Sequence, residues 1–417
     1  MLIESMTSLG VPELVAQLIY AGLVAFMCIN FVAVYAGLIS VVERRVAAKM
    51  QSRVGPNRVG PNGWLQWLAD GVKLILKEDL IPAGADRLLF KAAPMIMAVG
   101  VAASFAVLPW GPAHAIAADL NVGILYLISI SALVVIGILM AGWASNNKWS
   151  LLGGMRAAAQ IVTYEVPVAM GLLPAIMIAG SLAVSDLVNA QGWAPWDWVA
   201  FDNPFAMLGF LLFLTGSVAE SNRTPFDLTE AESELVAGYS TEYSGFRFAM
   251  FTLGEFANTW VVGAISAAIF LGGGLVPPIL ANVPGAAVGV FILKTLFMVF
   301  VLMWFRWTLP RFRIDQMMDF SWKYMLPLAL LAFFGQSIYF LATWDSLVAQ
   351  SVVSHLMVLI FLGVFFVFIN RVLINYRHQA TVVNSYKTET DYLVKTGKIV
   401  LAAPKEAAAD SSEQEEG

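Results

Sequence analysis

Six carboxylic acids crowd into the 28 residues from Ala219 to Phe246, AESNRTPFDLTEAESELVAGYSTEYSGF: Glu220, Asp227, Glu230, Glu232, Glu234 and Glu242. The stretch contains one arginine, Arg223, and Arg247 follows it directly. Two cations cannot neutralise six acids, and closely spaced carboxylates share protons and titrate as a group. Two more acids, Glu165 and Glu255, lie inside long apolar runs, the second with Asn258 on the neighbouring turn. A carboxylate at mid-membrane depth costs about 2.5–3.5 kcal/mol on insertion scales, so such a group faces a polar cavity or a partner. A row of acids leading to buried acids is physically a proton relay. The competing reading is a solvated loop in which Thr229 and Glu232 form a capping box, with Glu230 and Glu234 sharing one helical face. Other chemistry is missing from the chain. There is no Walker loop or dinucleotide turn, no cysteine cluster for iron–sulfur centres beyond the lone Cys28, and His114, His355 and His378 lack metal-ligand spacing.

The elements that must position these acids are membrane helices. Hydrophobic residues make up 59% of the chain and charged ones 13%, against about a quarter charged in soluble domains. Nine apolar runs read as spans, roughly 12–41, 92–111, 122–143, 155–180, 204–220, 246–272, 286–306, 323–344 and 352–374. The first is too long for the apolar core of a signal peptide. Every Lys and Arg except Lys294 falls in or beside an odd-numbered loop or at the C-terminal end: nine in 43–91, two in the third, two in the fifth, four in the seventh and six at the C-terminal end. The positive-inside rule then puts the N-terminus outside, the C-terminus in the cytoplasm and the acidic stretch on the cytoplasmic side. Lys294 itself lies within a span and is either a functional group or a side chain that snorkels.

The first loop, ERRVAAKMQSRVGPNRVGPNGWLQWLADGVKLILKED, is the second unusual stretch. Its repeated Gly-Pro-Asn at 55–57 and 60–62 predicts an ordered turn in place of helix. From Trp64 to Glu78 the polar residues Gln66, Asp70, Lys73 and Lys77 form one stripe on an otherwise apolar helix. That helix lies in the membrane interface, packs on its own bundle, or does both. The expected fold is an all-α polytopic membrane bundle over 1–375, with cytoplasmic loops at 43–91 and 219–246 and a flexible tail over 376–417.

The runs ERRVAAKMQSRVGPNRVGPNG, QWLADGVKLILKED, GWASNNKWSLLGGMRAAAQIVTYEVP, AESNRTPFDLTEAESELVAGYSTEYSGFRFAMFTLGEFAN and RWTLPRFRIDQMMDFSWKYMLP closely resemble the H subunit of bacterial NADH-quinone oxidoreductase, respiratory complex I. The resemblance covers roughly 12–345. It implies a translocase subunit that binds no cofactor itself, with quinone as substrate and with FMN and iron–sulfur clusters in partner subunits. Those partners would be the soluble quinone-site subunits and the small and antiporter-like membrane subunits. The resemblance makes Glu165, Glu220, Asp227, Glu230, Glu232, Glu234, Glu242 and Glu255 a proton relay, with Arg223 and Arg247 as its counter-charges. It sets Glu43, Arg44, Arg45, Lys49, Arg53, Trp64, Arg306, Arg311 and Arg313 by the quinone tunnel and the soluble arm. The family core has eight spans, so the ninth and the tail are additions. Two alternatives stand beside this reading. One is a same-family subunit of a membrane hydrogenase or other dehydrogenase. The other is a stand-alone proton-coupled transporter, which predicts inverted repeats that the halves do not show.

Overall fold

A computed structural model describes residues 12–111, 116–228, 235–343, 348, 350–367, 370, 371 and 374. Contacts divide the chain into a unit over 1–357 and a second over 358–417. Among the described residues every regular element is helical. The long ones are α1 (Glu13–Met50), α3 (Arg87–Val107), α4 (Gly123–Ala144), α5 (Lys148–Ala179), α7 (Gly245–Phe270), α8 (Ala286–Thr308), α9 (Ile314–Thr343) and α10 (Gln350–Val367). Those eight are long and apolar enough to cross a membrane, and α6 (Pro204–Glu220), the predicted fifth span, is an apolar helix of 17 residues. The chain is therefore a multi-pass helical membrane protein. The tail over 376–417 lies outside the described residues, as do Glu230, Glu232, Glu234, His114 and His378.

Helix ends follow local chemistry. Asp86 accepts hydrogen bonds from the Leu88 and Leu89 amides, and Asn203 from those of Phe205 and Ala206. Asn147 accepts from the Trp149 amide to start α5, and Gly180, in the left-handed region at φ +67°, ends it. Three helices overrun their predicted spans by seven residues or more, α9 among them, which begins at Ile314 in place of 323. No Gly or Pro interrupts ERRVAAKM, so α1 continues to Met50, and α5 starts at Lys148 because Asn147 supplies the cap. The Gly-Pro-Asn repeat behaves as expected: 54–60 is irregular and Pro61–Gly63 is one 3₁₀ turn.

The amphipathic helix, α2, runs Gln66–Leu76. It packs on the bundle through Trp67, which lies where a Cβ on Gly37 of α1 would sit, 2.6 Å from the ring. Of its other apolar side chains, Leu74 is half-buried while Leu68, Val72, Ile75 and Leu76 stay exposed. The helix thus packs on its own bundle, and the face left uncovered is greasy enough for an interface.

Candidate functional site

The acids sort into two environments. In the first, Glu43 near the end of α1 is 3% exposed, and two arginines from distant parts of the chain close on it. Arg223, itself 5% exposed, donates from Nη1 to Glu43 Oε2 at 3.1 Å, and Arg306 of α8 donates to Oε1. Arg223 also lies over the Phe256 ring at 5.4 Å. Nearby, Arg311 donates to Asp227 Oδ2 at 3.3 Å. One buried carboxylate thus ties α1, the residues after α6, and α8 into a charge-compensated knot.

The second environment is a cavity of about 70 Å³ between α3, α4, α5, α6 and α7. Glu165 and Glu220 both line it, with Ser131, Ser217 and Asn258 among the polar side chains and with Ile161, Phe213 and Val262 on the apolar walls. A single water needs about 10–15 Å³ of such space, so the cavity is roomy enough for several. The two carboxylates act on one another electrostatically, and the Ser131 hydroxyl stands beside Glu165. Among the described residues no Lys or Arg forms an ion pair with either acid. These are the carboxylates whose protonation can change without stranding a buried cation.

Glu255 of α7 stands between the two. It precedes the cavity residue Asn258 by three residues, about 4.5 Å of helix rise, and its charge also acts on Arg306. The Tyr239 hydroxyl donates to Glu255 Oε1 at 2.7 Å.

The second half of the acidic stretch is a strap fastened at several points. Asn147 Nδ2 donates to Glu242 at 2.6 Å, so the cap of α5 also holds this acid. That position is 18 residues, about 27 Å of helix, from Glu165. The Ser150 hydroxyl donates to the Tyr239 carbonyl at 3.0 Å. Tyr243 stacks on Phe90 at 4.0 Å and donates to its carbonyl at 3.2 Å. Burial pushes the Tyr243 phenol up, and the weaker opposing effect of Arg247 does not reverse this, so it remains a donor. Ser244 donates to the Glu78 carbonyl and accepts from the Leu80 amide, which fastens the strap to the segment leaving α2. Arg247 pairs with Asp79 at 3.2 Å, unaligned for a hydrogen bond.

Both counter-charges therefore have partners outside the acidic stretch: Glu43 for Arg223 and Asp79 for Arg247. Sequence separation hid the first, since 180 residues part the pair. The remaining first-loop residues lie near α2 or at the surface. Arg44 reaches Asp70 at 2.7 Å, and Arg45 donates to the Asn62 carbonyl and stacks over Trp64 at 4.3 Å. Lys49, Arg53 and Arg313 are all exposed.

Lys294 is resolved differently. It donates to the Leu271 carbonyl at 2.6 Å, just past the end of α7, and lies 4.6 Å from the Trp198 ring. It neutralises a helix C-terminus at the far end of α7 from Tyr239. Sequence reasoning missed Tyr239 as the partner of Glu255. The signal was a Tyr sixteen residues upstream in a strap too aromatic for a solvated loop.

Comparison with known proteins bears on what such a site serves. A family model described as NADH dehydrogenase matches residues 23–337. The NADH-quinone oxidoreductase H subunit of Anaeromyxobacter dehalogenans (strain 2CP-C) is 50% identical over 351 residues, 80% of this chain and 84% of the relative. The H subunit from Geobacillus kaustophilus (strain HTA426) is 50% identical over 290 residues, 69% of this chain and 84% of the relative. A third relative, from Rhodothermus marinus and numbered 8 among the NADH-quinone oxidoreductase subunits, is 44% identical over 327 residues, 75% and 95% respectively.

Proposed function

The chain belongs to the NADH dehydrogenase family, and from that premise we propose that it is the membrane subunit of a proton-translocating NADH-quinone oxidoreductase in which carboxylates couple quinone reduction to proton movement. The observation that carries this is the cavity holding Glu165 and Glu220, neither of them ion-paired to a cation among the described residues, with Glu255 one turn before its lining residue Asn258. Two carboxylates in one small, largely apolar cavity exchange protons as a coupled pair. Glu255 extends the path toward the acidic stretch, and Asp227, Glu230, Glu232, Glu234 and Glu242 complete it on that side.

Quinone reaches the site along a second opening. A groove of about 470 Å³ lies between α1, α2 and α7, lined by Gly37, Arg44, Trp67, Asp70, Phe248 and Phe256 among others. Its walls are mostly apolar with the Arg44–Asp70 pair at one side, which suits an isoprenoid tail led by a polar head group. The Glu43–Arg223–Arg306 knot, with Arg311 and Arg313, borders the head-group end. The first loop meets soluble partner subunits, which hold the FMN and the iron–sulfur clusters, this chain carrying a single cysteine. Small and antiporter-like membrane subunits receive the proton signal. The subunit sits in the bacterial cell membrane with its N-terminus outside and its C-terminus in the cytoplasm, the orientation that the Lys and Arg distribution favours.

Glu165→Gln and Glu255→Gln, each made in the whole complex, test the reading. Each should cut quinone-linked NADH oxidation or proton pumping by about tenfold or more, the scale of a lost proton-transfer group. NADH oxidation by a soluble acceptor that draws electrons ahead of quinone should persist. Full quinone activity with normal pumping in both variants would remove the relay.

A further inference from the structure

Among the described residues of the acidic strap, Tyr239 is the one whose side chain donates a hydrogen bond to an acid inside a membrane helix, and its placement is tightly determined. The ring is completely buried and packs edge-on to Phe251 at 5.4 Å. It belongs to the core cluster with Phe90, Ile138, Ala157 and Ile161. Its carbonyl is held by Ser150. The strap backbone also lies flush on α5. A Cβ on Gly153 would stand 2.7 Å from the Gly238 Cα, and Gly238 itself sits at φ +57°. Both glycines are required for that approach, because any side chain on α5 there would lift the strap and carry Tyr239 with it.

A phenol fixed this way can only present its hydroxyl where the backbone puts it, and that is Glu255 Oε1. We propose that Tyr239 is a positioning residue for proton transfer at Glu255: its hydroxyl donates to Oε1 and fixes how the carboxyl is turned. The O–H bond formed when a proton arrives at the carboxylate is the one that breaks when it leaves. The strap's contacts with Asn147, Phe90 and the segment after α2 are thereby coupled to the orientation of a membrane acid. The inference rests on the reading of Glu255 as a relay group and adds the residue that orients it.

Tyr239→Phe in the intact complex is the direct test, because it deletes the hydroxyl and keeps the ring. Hydrogen bonds to charged groups are strong enough that turnover with quinone should fall about tenfold. The KM for quinone should stay unchanged and fewer protons should be pumped per electron. A fluorinated tyrosine at 239, which keeps the donor, should retain turnover and stoichiometry. Equal losses for Phe and fluorotyrosine would assign the effect to packing and overturn the proposal. In a Glu255→Gln background Tyr239→Phe should add nothing; a further tenfold loss there would show that the hydroxyl acts elsewhere. Normal pumping in Glu255→Gln removes the underlying relay reading. A normal Tyr239→Phe beside a deficient Glu255→Gln removes only the positioning role.

Discussion

Glu43 and Glu165 are both acids on helices of a membrane bundle, and their surroundings are opposite. Glu43 is clamped by Arg223 and Arg306, while Glu165 shares a cavity with a second acid and a serine. The first arrangement fixes a charge. Removing the carboxylate there would leave the buried Arg223 and the partly buried Arg306 without their partner. The second leaves a charge adjustable, because protonating either carboxylate strands nothing. A membrane protein that moves protons needs both: a rigid frame, and within it groups whose ionisation is cheap to change.

The largest effect that would break this comparison falls on the frame. Glu43→Leu should destabilise the subunit by about 3–5 kcal/mol, the cost of removing one partner from a buried ion pair. The check is thermal unfolding of the purified complex and the amount of subunit assembled in the membrane. Adding Arg223→Met should recover part of the loss, since the two changes act on one contact and are not additive. If Glu43→Leu unfolds no more easily than the native protein, the knot is not structural.

The cavity should behave in the opposite way. Glu165→Gln combined with Glu220→Gln removes no ion pair and keeps side-chain volume, so unfolding should shift by about 1 kcal/mol or less. Quinone-linked pumping would meanwhile be lost. A destabilisation as large as that of Glu43→Leu would mean that the cavity acids carry structure and that the two regions do not differ in kind.

The sequence made some of this contrast legible and concealed the rest for identifiable reasons. Apolar runs and the confinement of Lys and Arg to alternate loops located the helices, because both reflect the bilayer as a solvent. Glu165 and Glu255 stood out by the same logic, as charges where charge is expensive. Glu43 did not, since it sits at the head of a basic run that reads as a loop. Only the helical continuation to Met50 and two arginines, 180 and 263 residues away, turn it inward. Lys294 was ambiguous because composition cannot tell a snorkelling lysine from one that caps the neighbouring helix. Tyr239 was hidden by its phenol, which reads as packing until its hydroxyl is seen to meet an acid.

The smallest predicted effect concerns the joint between frame and groove, where Arg44 of α1 reaches Asp70 of α2. Burial raises the Asp70 carboxyl, but the hydrogen bond and charge of Arg44, aided by Gln66 and Lys73, outweigh it and hold the group below the usual carboxylate range. A carboxylate with a lowered folded value contributes stability above its unfolded value of about 3.9 and loses it as pH falls through the folded one. The protection of α2 amides, taken relative to their intrinsic exchange rate at each pH, should therefore be flat from neutral pH down to about 4 and fall only below that. Asp70→Asn should give the weakly protected behaviour at all pH values. Because Arg44 is half exposed, the pair is worth about 0.2–1 kcal/mol, and salt should weaken it further. Protection of α2 that falls already near pH 6 would point to a different group holding the helix, and the Arg44–Asp70 contact would then be incidental to the groove.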